Sequence, residues 1–362
     1  MKRSTVKLAA IASLALAVPL LAGCVPVSKN GAGGGSSSQA NSLHTPLKCT
    51  TDLSVDQLMD YKAPKAAKPY NITVMVVSLA GYYYQGLVYG AQQAAKDAGV
   101  NVKIVAGDGF TSPAPQLSQA QDVIQSKPDA IALQPVDVEG SVPIVTQANA
   151  AGIPVVSFGT ELNTDKTAGQ VLQDDYKLGQ AGADQLAKAH PDGGEGILIA
   201  GPATATWSKK RVAGFEDRLK EKYPKFKVVA SPTQAVDPAQ GLKDFNDATQ
   251  AHPDISWVYS VFFYQLLPDS LPGKYKDIPF VTTGYEPAAI ASLESGALTT
   301  TSSVENIAFG YQAVAQSVEA LNKGKDAELG NICVPAPALT KADIGTPLAD
   351  FDLYPEGFSY KG

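Results

Sequence analysis

The chain has almost no histidine. Among 362 residues only His44, His190 and His252 carry an imidazole. The first sits in an N-terminal extension and the others beside prolines at predicted helix ends, so none has the company that acid–base chemistry requires. Cysteine is as scarce, with three residues, no CxxC pair and no Cys/His cluster at metal spacing, and neither metal nor cofactor is expected. No Gly-x-Ser-x-Gly elbow occurs, Ser208-Lys209-Lys210-Arg211 lacks the context of a nucleophile, and Gly107-x-Gly109 is too short for a dinucleotide fingerprint. Paired carboxylates in a cleft would be the one route to catalysis, through glycosidic chemistry. The chain is therefore read as a binder rather than an enzyme.

Positive charge is also short. The formal net charge is −6 and the basic residues are scattered, which excludes a nucleic-acid partner, because phosphate binding needs clustered Lys and Arg. The longest basic cluster, Lys209-Lys210-Arg211, falls on a predicted helix and reads as a solvated face. What is abundant is apolar residue content, 44%, enough for a large core, and the length suits two domains once the ends are set aside.

Only one long hydrophobic run is present. Lys2, Arg3 and Lys7 precede the apolar stretch Leu8 to Leu21, which is short for a bilayer span and is followed closely by polar chain. It ends in Leu21-Ala22-Gly23-Cys24, which resembles a bacterial lipoprotein signal. The resemblance implies export, lipidation of Cys24 and a lipid anchor on the outer face of the cell membrane, with no transmembrane helix later; a non-lipidated signal peptide is the alternative. Residues 1–24 are thus a signal peptide, and 25–69 a flexible tether plus extension. The tether holds Gly31-Ala32-Gly33-Gly34-Gly35-Ser36-Ser37-Ser38, and about 18 residues of such coil span on the order of 25 Å. Ser54 to Tyr61 is an amphipathic piece capped by Ser54. With Cys24 assigned to lipid, Cys49 and Cys333 remain as an even pair in an oxidising compartment. A disulfide between them would contribute on the order of 5 kcal/mol; two free buried thiols are the alternative.

The chain is organised around Asn71 to Phe110. A strand Ile72 to Val77 breaks at Ser78-Leu79-Ala80-Gly81, presents Tyr82-Tyr83-Tyr84, continues as a helix to Ala98-Gly99, and returns as a strand Val102 to Ala106 ending in Gly107-Asp108-Gly109-Phe110. This is one right-handed parallel unit. Ligands of such sheets sit beyond the carboxyl ends of the strands, so Tyr83, Tyr84 and Phe110 are expected to form one wall of a site; aromatics at a helix start also serve simply to staple it to the sheet. Alternation continues through strands at 130–133, 153–158 and 169–172 and helices at 115–126 and 138–151. A second half repeats it, with strands at 196–200, 227–231, 257–261, 279–283 and 298–302 and helices at 208–222, 238–251, 287–295 and 307–321. Two similar α/β halves are the simplest account.

The order Ser78-Leu79, the aromatic pair, Gly90-Ala91-Gln92, Ala150 to Val156, Asp174-Asp175-Tyr176 with Gly179, Arg211 with Gly214-Phe215, and Ala251-His252-Pro253-Asp254 resembles the ribose-binding class of type I periplasmic binding proteins over roughly residues 70 to 340. The resemblance implies an α/β fold of two doubly wound Rossmann-like lobes joined by three hinge crossovers near Leu172-Gln173, Val304-Glu305 and Cys333-Val334, closing on a small solute. The first lobe would be 70–172 plus 305–334 and the second 173–304 plus 335–362. Its implied partner is an ABC transporter permease, its implied state a monomer, and its ligand a small sugar or polyol. Where sugar-binding members usually carry Asp-Arg this chain has Gly159-Thr160-Glu161, and where they carry Asn-Asp it has Val261-Phe262-Phe263.

The same stretch is similar to the periplasmic branch that senses trimethylamine N-oxide and reports to a membrane histidine kinase. The likeness lies in Ser78-Leu79 with Tyr83-Tyr84 and Tyr89-Gly90, Gly107 to Phe110, Ala200-Gly201-Pro202, and Phe280 to Gly310. It implies an aromatic box for a methylated amine. Strand ends supply further candidate ligand contacts: Thr160 and Glu161, Asp174 and Asp175, Trp207 and Lys209 at a helix start, Tyr285 and Glu286, and Glu305 at a hinge. Several carboxylates with few cations point to a polyhydroxylated or cationic ligand.

Overall fold

The computed structural model describes residues 43–109, 112–233, 236–324 and 327–362. Cys24, the Gly/Ser tether and Phe110 lie outside the described residues. Among the described residues no helix is long and apolar enough to cross a membrane.

The elements run in chain order as β1 Thr51–Asp52, α1 Val55–Asp60, β2 Asn71–Val76, α2 Tyr82–Ala98, β3 Asn101–Ala106, α3 Pro113–Gln125, β4 Ala130–Leu133, α4 Val142–Ala150, β5 Val155–Gly159 and β6 Gly169–Leu172. They continue as α5 Asp175–Ala189, β7 Gly194–Ile199, α6 Thr206–Lys222, β8 Phe226–Ala230, α7 Pro238–Ala251, β9 Trp257–Ser260, β10 Phe280–Thr283, α8 Pro287–Ser295, β11 Thr300–Ser302, α9 Asn306–Lys323, β12 Asn331–Cys333, β13 Ala338–Leu339 and α10 Pro347–Asp350. Two sheets result. The first has the order β1-β12-β6-β5-β4-β2-β3 and the second β13-β11-β10-β9-β7-β8. Every pairing is parallel except β11 with β13.

Helices cover both faces of each sheet, which is why the central strands are apolar throughout rather than alternating. In β2, Ile72, Val74 and Val76 pack under α2 and α9, while Met75 faces Ile131 and Leu133 on the α3 and α4 side. In β7, Ile197 and Ile199 join Phe245 of α7, and Leu198 joins Phe215 of α6. This doubly wound pair of lobes is the architecture the alternation led us to expect.

Each lobe is sealed by one close helix pair. A Cβ on Gly90 of α2 would collide with the Ile307 carbonyl of α9, and one on Gly310 with the Leu87 carbonyl; Gly179 of α5 and Gly214 of α6 meet the Arg211 and Tyr176 carbonyls in the same way. The backbones approach so nearly that only glycine fits.

The chain passes between the sheets after β6, after β11 and after β12. Both ends of the described chain add further ties. In the extension, Cys49 is bonded to Cys333 with Cα atoms 5.7 Å apart, and β1 pairs with β12 of the first sheet. Meanwhile the Leu47 amide donates to Asp174 Oδ2 at 3.0 Å and His44 meets Asp217 of α6 at 2.7 Å. Helix α1 is closed by a capping box between Ser54 and Gln57. At the other end, α10 packs into the second lobe through Ala349. The run beyond it, which sequence reading assigns to that lobe too, lies on α2 of the first: Gln85 and the Tyr360 backbone exchange hydrogen bonds of 2.7 and 3.3 Å.

Candidate functional site

A cavity of about 920 Å3 lies between the lobes, beyond the carboxyl ends of the parallel strands, where open α/β sheets expose loops and helix starts rather than side-chain-filled pleats. From the first lobe it is lined by residues following β2, β3, β4 and β5; from the second, by residues following β7, β8, β9 and β10 and by the starts of α5 and α6. Gln173 and Val304, on two of the crossings, complete the floor.

The first-lobe wall is aromatic. Gly81, at φ 89°, turns the chain so that Tyr82, Tyr83 and Tyr84 open α2 at the cavity with no side-chain cap on the helix. Tyr83 and Tyr84 meet edge to face, centroids 5.3 Å apart, and burial pushes the Tyr83 hydroxyl well above its usual range, so it stays a neutral donor. Gly159, at φ 77° where glycine is favoured, ends β5 beside this hydroxyl. Gln134 is fixed by accepting from the Val77 amide at 3.1 Å. Phe309 of α9 adds a buried ring.

The second-lobe wall mixes rings and charge. Arg211 of α6 donates through Nε to Asp175 Oδ1 at 2.8 Å and through Nη1 to the Val261 carbonyl and Thr283 Oγ1 at 2.9 and 2.7 Å, and its guanidinium lies 5.0 Å from the Trp207 ring centre. Trp207 in turn meets Phe262 edge to face. Glu286, opening α8, makes no side-chain cap bond; burial alone pushes its carboxyl up to about 7.

Of the residues expected from sequence, Tyr83, Tyr84, Thr160, Asp175, Trp207 and Glu286 line this one cavity. The other described candidates stand apart from it. Glu161 pairs with Lys210 at 2.9 Å behind it. Asp174 is the N-cap of α5, accepting from the Lys177 amide, and Asp175 beside it is the acid that faces the cavity. Lys209 is exposed. Tyr285 is buried in the second-lobe core. Glu305, in a left-handed conformation at φ 46°, is 2% exposed beside the crossing. The expectation of a solvated basic face also fails for two of its three members: Lys210 and Arg211 are each 6% exposed, Arg211 turning to Asp175 of α5 and Lys210 to Glu161 of the first lobe.

Tyr82, Gln134, Arg211 and Phe309 are cavity residues that strand-end reasoning did not single out. Tyr82 belongs to the tyrosine run already noted, and Arg211 to the basic run. Gln134 follows β4 directly and could have been found by the rule that located Thr160.

The periplasmic binding protein domain family matches residues 72–326. The ribose import binding protein RbsB of Bacillus subtilis (strain 168) is 28% identical over 193 residues, 53% of this chain and 62% of that protein, less than two thirds of its length. The periplasmic protein TorT of Escherichia coli (strain K12) is 27% identical over 202 residues, 54% of this chain and 56% of that protein. A carbohydrate transporter solute binding protein from Agrobacterium radiobacter, solved in complex with D-arabinose, superposes with a TM-score of 0.72 at 22% identity, covering 79% of this chain and all but 1% of its own.

Proposed function

Since the chain belongs to the periplasmic binding protein domain family, we propose that it captures a small polyhydroxylated solute between its lobes, outside the cytoplasm, and delivers it to an ABC importer without chemical change. The observation that carries this is the interlobe cavity of about 920 Å3, where ring faces meet hydrogen-bonding groups from both lobes. Aromatic faces suit the C–H surfaces of a sugar, while Gln134, Thr160, Asp175 and Arg211, together with the uncapped amides at the start of α2, can exchange hydrogen bonds with its hydroxyls. Cys24 would hold the protein to the outer face of the membrane through its acyl chains, and the Cys49–Cys333 bridge suits an oxidising compartment.

Calorimetric titration against pentoses, hexoses and linear polyols tests the reading. Binding at micromolar Kd or tighter, weakened by Tyr83→Ala, is expected. Tight binding of a dicarboxylate with none of a polyol would refute it.

A second reading is favoured by the ring content of the cavity, to which Tyr82, Tyr83, Tyr84, Trp207, Phe262 and Phe309 all contribute. Such a box suits a methylated amine, and the protein would then report its ligand to a membrane histidine kinase. Titration with trimethylamine N-oxide separates the two.

A further inference from the structure

Within the cleft, charge is distributed unevenly. Among the described residues its one cationic side chain, Arg211, is already held by Asp175 and by two neutral acceptors, so that pair is neutral as a unit. Glu286 has no such counterpart. It lines the cavity yet is only 7% exposed; its carboxyl caps no amide, and no described Lys, Arg or His forms an ion pair with it. The groups around it add no positive charge. Tyr82 of α2 and Tyr354 of the C-terminal run feel its charge, Asp352 of the same run also acts on Tyr82, and Asp175 and Asp108 line the same space. A buried carboxyl facing a cavity without a partner either keeps its proton or has its charge balanced by what enters the cavity.

We propose that Glu286 recognises a protonated nitrogen, so that this cleft selects an amino-bearing polyhydroxylated solute over its neutral counterpart. The inference rests on the solute-binding reading above and narrows its ligand class. The first lobe supplies donors for hydroxyl oxygens at the start of α2, the rings of Tyr82 and Phe309 supply faces for a diffuse positive charge, and the second lobe supplies the single unmatched acid. An ammonium would complete an ion pair that the protein itself leaves half made. It would also draw the carboxyl into its ionised form, so binding near neutral pH releases a proton from Glu286 to the buffer.

The test is calorimetry on the full chain with matched pairs: D-glucosamine against D-glucose, and 1-amino-1-deoxysorbitol against sorbitol, each at pH 6.5 in two buffers of different ionisation enthalpy. At least tenfold tighter binding of one amine than of its neutral partner, with net proton release, is expected. Glu286→Gln should weaken that amine at least tenfold and abolish the proton release, its fold being checked by thermal melting. If the neutral members bind as tightly as the amines, or amine binding releases no proton, the inference is overturned while the solute-binding reading stands. If no member of either pair binds, the inference is overturned, and the solute-binding reading is decided separately by the titrations against pentoses, other hexoses and polyols.

Discussion

Tyr354, from the C-terminal run, lies face to face on Tyr82 at the mouth of the cleft, ring centroids 4.1 Å apart and planes inclined by 17°. The Tyr354 amide donates to the Tyr82 hydroxyl at 3.2 Å, and Phe358 packs edge to face on Tyr89, two turns further along α2. A segment that leaves the second lobe after α10 thus backs a wall of the first. Stacked pairs contribute about 0.5–1.5 kcal/mol beyond the area they bury. Tyr354→Ala is expected to weaken ligand binding about three- to tenfold and to lower the melting temperature by a few degrees. Titration and thermal melting of the variant check this; unchanged affinity would mean that the tail covers the wall without holding it.

The bridge from Cys49 to Cys333 closes a separation of 284 residues and fastens the N-terminal extension beside the last strand of the first sheet. Cross-links of this kind restrict the unfolded chain, and removing one typically costs about 2–5 kcal/mol. Urea denaturation of Cys333→Ser should register a loss in that range, with reductant reproducing it in the parent protein. A difference below about 1 kcal/mol would mean that the bridge adds nothing the β1–β12 pairing does not already secure.

Arg211 and Asp175 form a buried pair 36 positions apart in the chain. Truncating one member strands the other's charge, for which about 3–5 kcal/mol is typical, whereas replacing both with apolar residues is far milder. Asp175→Asn should therefore destabilise more than the double change Asp175→Leu with Arg211→Met. The comparison is made from urea midpoints. If the double variant proves the weaker, the pair stabilises the fold beyond its mutual neutralisation.

Glu305 and Asp352 predict how stability depends on pH. Asp352 accepts from Ser303 Oγ at 2.9 Å and from the Ile307 amide at 3.2 Å, while Glu305 Oε2 has no partner among the described residues. Burial pushes both carboxyls up, and the charge of Asp352 pushes Glu305 further. A folded-state value above the unfolded one means that the native protein holds more protons than the unfolded chain. The proton is therefore an added source of stability at low pH, lost as pH climbs from about 4 through the raised value, by at most about 1.4 kcal/mol per unit for each group. Asp352→Asn should flatten that decline between pH 4 and 7, measured as denaturant midpoints across the range. A profile as steep as the parent's would assign the dependence to other groups, Glu286 among them.

Much of this was readable in advance, for definite reasons. Buried parallel strands announce themselves as apolar runs, so Ile72 to Val77 and Phe280 to Thr283 are plain, and glycines such as Gly99, left-handed at φ 79° in the C-cap of α2, mark helix ends. Strands β1, β12 and β13 are two or three residues long; their pairing is decided by partners far along the chain, and nothing local encodes it. Helix α5 is obscured by Gly179 and Gly182, which lower helix propensity yet are required where it crosses α6 and Tyr259. The aromatic wall was legible because strand, turn and helix place it. The buried state of Arg211 was not, since a basic triplet reads as solvated until α5 brings Asp175 to it. Glu305 could be assigned to a crossing, but its acidic neighbour Asp352 arrives from a tail that has no sequence signature.

Lys210 and Glu161 form an ion pair that joins the lobes. Lys210 projects from α6 of the second lobe, Glu161 follows β5 of the first, and their 2.9 Å contact lies behind the cavity among Leu47, Gln173 and Trp207. The lysine side chain is 8% exposed and the glutamate 37%, so one end is shielded while the other is wet, and the pair is worth more than a surface bridge but less than a fully buried one. Any rotation of the lobes about the crossings near Gln173 and Val304 must stretch it. It therefore biases the equilibrium between separated and approximated lobes, a bias that appears in ligand affinity because only approximated lobes present both walls at once. Glu161→Gln keeps the side-chain shape and removes the charge. The expected result is a larger radius of gyration for the unliganded protein by small-angle scattering, together with a three- to thirtyfold loss of affinity. Since Glu161 lines no part of the main cavity, that loss could not come from a broken ligand contact. Unchanged scattering and unchanged affinity together would show that the pair follows the lobes rather than setting their separation.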